Sequence, residues 1–217
     1  MKRRIFPLST GSTPVILVNI TASVPTTAPY FDKSVLNLGN VRLAIERMAS
    51  NDMGGLGCGR ITVSTVGIVP GIEELAASGL NVSLAVSLHA PDDRTRARLL
   101  PAGRRFAVRE ILEAADRYQA ATRRPVCVQY CLLKGVNDSM EQAAELARLL
   151  EGRRMHVNLL RYNPVGPGLG GEAYEAVSEA ATESFLSLLR GRGVVAHLRQ
   201  SRGPDIDAAC GQLRQRA

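Results

Sequence analysis

The chain has 217 residues, 45% of them hydrophobic, with 27 Lys and Arg against 20 Asp and Glu for a formal net charge of +7. That length can bury a sizeable core, and no apolar run reaches the roughly 20 residues that cross a bilayer. Four cysteines make no disulfide framework, which favours a reducing cytoplasm over secretion. The positive balance, nearly all arginine, suits a polyanionic partner such as RNA and equally suits an arginine-favouring composition.

Residues 1–34 carry Pro7, Pro14, Pro25 and Pro29, which break any helical period, and only Val15–Ile20 has the β-branched texture of a strand. The basic head Met1-Lys-Arg-Arg is not followed by an apolar stretch long enough for a secretory signal. From Val35 helices and strands alternate. Val41–Met48 reads as a short helix, and Gly54, Gly55, Gly57 and Gly59 as a loop. Strand Ile61–Val66, helix Ile72–Ser78 and strand Val82–Leu88 follow. A helical face formed by Val108, Ile111, Leu112, Ala115 and Tyr118 places a helix over residues 107–121.

Val126–Leu133 is the next strand. Asp138 and Glu141 have capping-box spacing ahead of the apolar stripe Ala143, Leu146, Ala147 and Leu150. Val157–Arg161 is a strand, residues 174–190 a helix with Phe185, Leu188 and Leu189 facing the core, and Val194–Arg199 a final strand. Strands joined by helical crossovers run parallel, so the fold class is α/β, a sheet or barrel. Such folds hold ligands at the carboxyl ends of their strands, where Ser64-Thr65, Ser87-Leu88-His89 and Asn163 fall.

Each candidate has an ordinary structural explanation. Ser64 can bond a loop amide, His89 can be a satisfied strand-end histidine, and Asn163 can be a turn asparagine before Pro164. Gly166–Gly171 lacks the spacing of a phosphate-cradling loop, and Pro167 removes an amide donor from it. Arg94, Arg96, Arg98, Arg104, Arg105 and Arg109 form either a phosphate-contacting cluster or a solvated face. Cys127 and Cys131 have the spacing of half an iron–sulfur motif, but Lys134 stands where a third cysteine is needed and both lie within a strand. Cys210 sits among small residues with Arg199, Arg202 and Arg214 nearby in sequence, which favours a reactive thiolate, or it is a structural cysteine at a chain end.

The stretch Gly203-Pro-Asp-Ile-Asp-Ala-Ala-Cys-Gly-Gln-Leu213 resembles the terminal motif of the radical S-adenosylmethionine rRNA adenine methyltransferases, the RlmN/Cfr type. Ile61–Gly71, Leu84–Pro91, the Asp-x-x-Arg-x-x-Leu-x-Pro segment and Asn158–Val165 resemble that family's strands and connections in the same order. The resemblance implies S-adenosylmethionine contacts at Ser64, Ser87, Leu88, His89 and Asn163, with Cys210 as the methyl carrier. It implies methylation of an adenine of 23S rRNA, and of tRNA, by a cytoplasmic monomer without a membrane. The family uses a [4Fe-4S] cluster to generate the adenosyl radical; its cysteine loop and the Gly-Glu-Pro motif are not found here, so no metal ligand is expected.

The resemblance covers about residues 36–214. The expected organisation is an unmatched segment 1–35, a partial (β/α) barrel of radical SAM type truncated at its N-terminus over 36–200, and a cap over 201–217. The expected activity is that of a radical SAM RNA methyltransferase, lost in this chain alone for want of the cluster. The alternative is a degenerate, non-catalytic paralogue that binds RNA or S-adenosylmethionine.

Overall fold

The computed structural model describes residues 16–19, 38–50, 52, 55–100, 104–163 and 173–199. They form two compact units. One holds the described residues of Met1–Ser87 together with Arg105–Cys127; the other holds Leu88–Arg104 and the described residues of Val128–Ala217.

In the first unit β1 (Ile16–Asn19), β2 (Ile61–Thr65) and β3 (Ser83–Ser87) are consecutive parallel neighbours, with Asn19 opposite Ser64 and Thr65 opposite Val86. The strand expected at Val15–Ile20 is therefore present, and it pairs with the strand that carries Ser64. β2 alternates, burying Ile61, Val63 and Thr65. β3 instead buries Leu84, Ala85 and Val86 in succession, as a strand covered on both faces does.

Helices α1 (Leu38–Ala49), α2 (Val69–Ala77) and α4 (Val108–Thr122) supply the helical part of this unit. α2 packs on α4, burying Ile72 and Leu75 with Ile111, Leu112 and Ala115. Tyr118 is buried on α4, and its hydroxyl donates to the Val82 carbonyl at 2.8 Å. An exposed Arg117–Glu73 pair at 2.7 Å joins the same two helices and adds at most about 1 kcal/mol.

β4 (Val126–Leu132) belongs to the second unit from Val128 onward and neighbours β5 (Met155–Arg161), and β6 (Val195–Arg199) runs parallel to β5 with Asn158 opposite His197. α3 (Asp93–Leu99) follows β3. α5 (Met140–Leu150) and α6 (Glu179–Gly191) pack on each other, and α6 also packs on β6. α5 buries the expected stripe of Ala143, Leu146, Ala147 and Leu150, and the Tyr130 and Phe185 rings lie 5.4 Å apart.

Three local expectations are corrected. The cap of α5 is Ser139, whose hydroxyl accepts from Gln142 N while the Gln142 side chain accepts from Ser139 N. Asp138 is one residue too early; its carboxylate accepts the Gly135 amide instead, at 2.8 Å. α6 begins at Glu179 because Ser178 caps it, the hydroxyl accepting from Ala181 N. On that register Leu186 is buried and Leu188 is only half-buried. α3 is a helix that the sequence reading had not resolved, capped by Asp92 through a 2.7 Å bond from Thr95 N.

Candidate functional site

In the first unit β2 and β3 end in hydroxyl-bearing residues. Ser64 is half-buried near the end of β2, and Ser87, also half-buried, ends β3. Thr65 beside Ser64 is buried, and its Oγ1 accepts from the amides of Gly67 (3.2 Å) and Ile68 (3.4 Å). That arrangement needs φ +89° at residue 67, which glycine adopts freely. Thr65 thus fastens the exit of β2 into α2 and leaves the Ser64 hydroxyl outside that turn.

In the second unit the chain leaving β3 is held tightly. Leu88 is fully buried, and its amide donates to the Gln129 carbonyl at 3.1 Å. His89 is half-buried with φ +60°, a left-handed conformation uncommon outside glycine. Its Nδ1 accepts the Cys131 amide at 3.0 Å. Burial, then the positive charge of Arg96, pushes His89 down to about 4. The imidazole is therefore neutral at physiological pH, with its proton on Nε2. Asn163, half-buried, lies two residues beyond β5, next to Tyr162, whose ring meets that of Tyr174 edge-on at 6.2 Å.

The arginine cluster divides. Arg94, Arg98 and Arg104 are exposed in the second unit, and Arg105 and Arg109 are exposed in the first. Arg96 is 0% exposed, with its guanidinium pushed down to about 10 by burial. Residues 94 and 98 share one helical face, and residue 96 falls on the opposite one. Helical periodicity could have made this distinction, had the short α3 been recognised.

Asn137 was missed altogether. It is fully buried in the connection after β4, and its Nδ2 donates to both the His89 and Cys131 carbonyls at 2.7 Å. An asparagine in a polar loop carries no sequence signal for that role.

The described cysteines are poorly suited to an iron–sulfur cluster. Cys58 lies in a 3-10 turn (Cys58–Arg60), Cys127 is buried in β4, and burial pushes the Cys131 thiol up to about 11. A protonated strand thiol is a poor cluster ligand, because iron binds the thiolate. Among the described residues no three His, Cys, Asp or Glu side chains converge to hold a metal ion. These residues do not fit the cluster. Cys210 and Gly166–Gly171 lie outside the described residues.

Parallel strands linked by helices define an α/β protein, and several of its strands end in polar groups. The family description Radical SAM superfamily matches residues 12–147, and the chain belongs to that superfamily. The matched span begins inside the segment whose sequence texture had set it apart. Within the superfamily the chain is similar to RlmN proteins. It is 63% identical over 180 residues to a probable dual-specificity RNA methyltransferase RlmN of Opitutus terrae, covering 83% of this chain and 51% of that protein. A Thermus thermophilus RlmN is 45% identical over 179 residues, covering 82% and 49% respectively.

A radical SAM methyltransferase structure from Sphaerobacter thermophilus superposes with a TM-score of 0.75 at 43% identity, covering 81% of this chain and 50% of that one. The chain spans about half the length of the curated relatives it matches. No helix among the described residues is long and apolar enough to cross a membrane.

Proposed function

We propose that this chain forms part of an RNA methyltransferase that modifies carbon 2 of an adenine in 23S rRNA and tRNA. Ser64, Ser87, Leu88, His89 and Asn163 are its S-adenosylmethionine contacts, and Cys210 carries the methyl group. The observation that carries this proposal is the 63% identity over 180 residues to a relative named as an RNA methyltransferase. The neutral His89 and the half-buried Ser64, Ser87 and Asn163 support it chemically, since they offer uncharged donors and acceptors to the polar groups of the cofactor.

The step assigned to Cys210 is a displacement. Its thiolate lone pair forms the new C–S bond as the methyl–sulfonium bond breaks, and S-adenosylhomocysteine leaves with the electron pair. No step through the cluster is assigned to these residues. The protein is taken to work in the cytoplasm, as a monomer on its RNA.

The test joins this chain to the half of the Opitutus terrae protein that it does not cover, and measures methyl transfer from labelled S-adenosylmethionine to an rRNA fragment. Methylated adenine is expected, together with one added methyl on the peptide containing Cys210. Cys210→Ala should abolish RNA methylation while cofactor and RNA affinities change little. Normal methylation with alanine at 210 would overturn the assignment.

A further inference from the structure

Asn137 spends its whole carboxamide on backbone. Nδ2 donates to the carbonyls of His89 and Cys131, each at 2.7 Å, and Oδ1 accepts the Leu133 amide at 2.7 Å. Its own carbonyl accepts the Tyr130 hydroxyl at 2.8 Å. The Cys131 peptide is thus held on both sides, its carbonyl by Asn137 and its amide by His89 Nδ1. The ring closes because Asn137 also holds the His89 carbonyl.

Two consequences follow from this ring. The left-handed conformation of His89, costly for a residue with a side chain, is held by hydrogen bonds on both its imidazole and its carbonyl. Nδ1 is committed as an acceptor, so the neutral ring keeps its proton on Nε2 and can only donate from there.

We propose that Asn137 is a positioning residue for S-adenosylmethionine: by tying the His89 carbonyl to the Cys131 carbonyl it fixes the turn after β3 and locks His89 in the Nε2–H tautomer. This rests on the proposal that His89 contacts the cofactor. A residue that only stabilised the fold would leave the tautomer unchanged when replaced. Asn137→Asp keeps the shape and the acceptor and removes both donors. Asn137→Gln keeps the amide but displaces it by one methylene.

The experiment uses the 217-residue chain with 15N-labelled histidine and backbone. In the wild-type chain a coupling across the hydrogen bond between the Cys131 amide nitrogen and His89 Nδ1 is expected, with a single His89 tautomer. In Asn137→Asp the coupling should vanish and the two tautomers should average. Affinity for S-adenosylhomocysteine should fall on the order of tenfold, the scale of one misplaced hydrogen bond. Asn137→Gln should fall between the two.

An unchanged tautomer and affinity in folded Asn137→Asp would overturn the proposal. Should neither variant fold, the wild-type chain decides, because a missing coupling with averaged tautomers overturns it equally. S-adenosylhomocysteine that leaves the wild-type His89 and Asn163 signals unmoved while the coupling is present overturns the cofactor assignment and upholds the tautomer lock.

Discussion

His89 shows how one residue's surroundings decide its chemistry. The pKa of a free histidine, 6.5, would leave the ring partly charged near neutrality, but burial and the neighbouring Arg96 push it down to about 4. As pH falls below 6.5 the unfolded chain takes up a proton that the folded chain refuses. Stability from this group is therefore fully present above about 6.5 and is lost progressively toward 4, by roughly 3 kcal/mol at most over that window. His89→Asn removes the titration and tolerates a left-handed φ. Urea unfolding of both proteins from pH 7 to 4 should show the wild type losing stability faster than the variant. Parallel curves would mean that His89 is not held neutral by the fold.

Among the elements, α5 offers the sharpest test of local sequence signals. Ser139→Ala removes the hydroxyl that accepts Gln142 N and should cost about 1 kcal/mol by thermal or denaturant unfolding. Glu141→Ala, at the position first taken for the capping partner, should cost less than Ser139→Ala yet remain measurable, because the exposed Glu141 carboxylate accepts from its own amide and from the Ser139 hydroxyl in the first turn of α5. Two overlapping capping patterns, Asp138 with Glu141 and Ser139 with Gln142, occur side by side here. Periodicity cannot choose between them, because shifting the cap by one residue leaves the buried stripe unchanged. The strands were legible because each is a short, largely apolar run bounded by glycine, proline or a polar cluster. α3 was not, since at seven residues it is too short to show a stripe and its arginines mask the buried one. Ser64, Ser87, His89 and Asn163 stood out as candidates in the sequence because polar residues fall there at or just beyond strand ends. Asn137 could not, because its partners lie 48 and 6 residues away along the chain.

For the molecule as a whole, the positive charge becomes testable once the arginines are separated by burial. Arg94 and Arg98 share the exposed face of α3, whereas Arg96 is in the interior. If the exposed pair meets RNA phosphates, each contact releases counterions, and the logarithm of the binding constant falls with the logarithm of salt by about 0.7 to 0.9 per contact. Arg94→Gln with Arg98→Gln should therefore weaken binding of an rRNA fragment at low salt and flatten the salt slope by about 1.5, for any RNA sequence. Arg148→Gln removes one charge from a residue already paired with Glu145 at 2.6 Å and should leave the slope nearly unchanged. Arg96→Gln should lower the unfolding midpoint instead and leave the salt slope unchanged, because the shorter side chain leaves a cavity where the fully buried guanidinium packed. Filter binding or fluorescence anisotropy at several salt concentrations reads the slopes, and thermal unfolding reads the midpoint. Equal slopes for the double variant and Arg148→Gln would make the cluster a solvated surface, with the net charge of +7 acting without a defined contact.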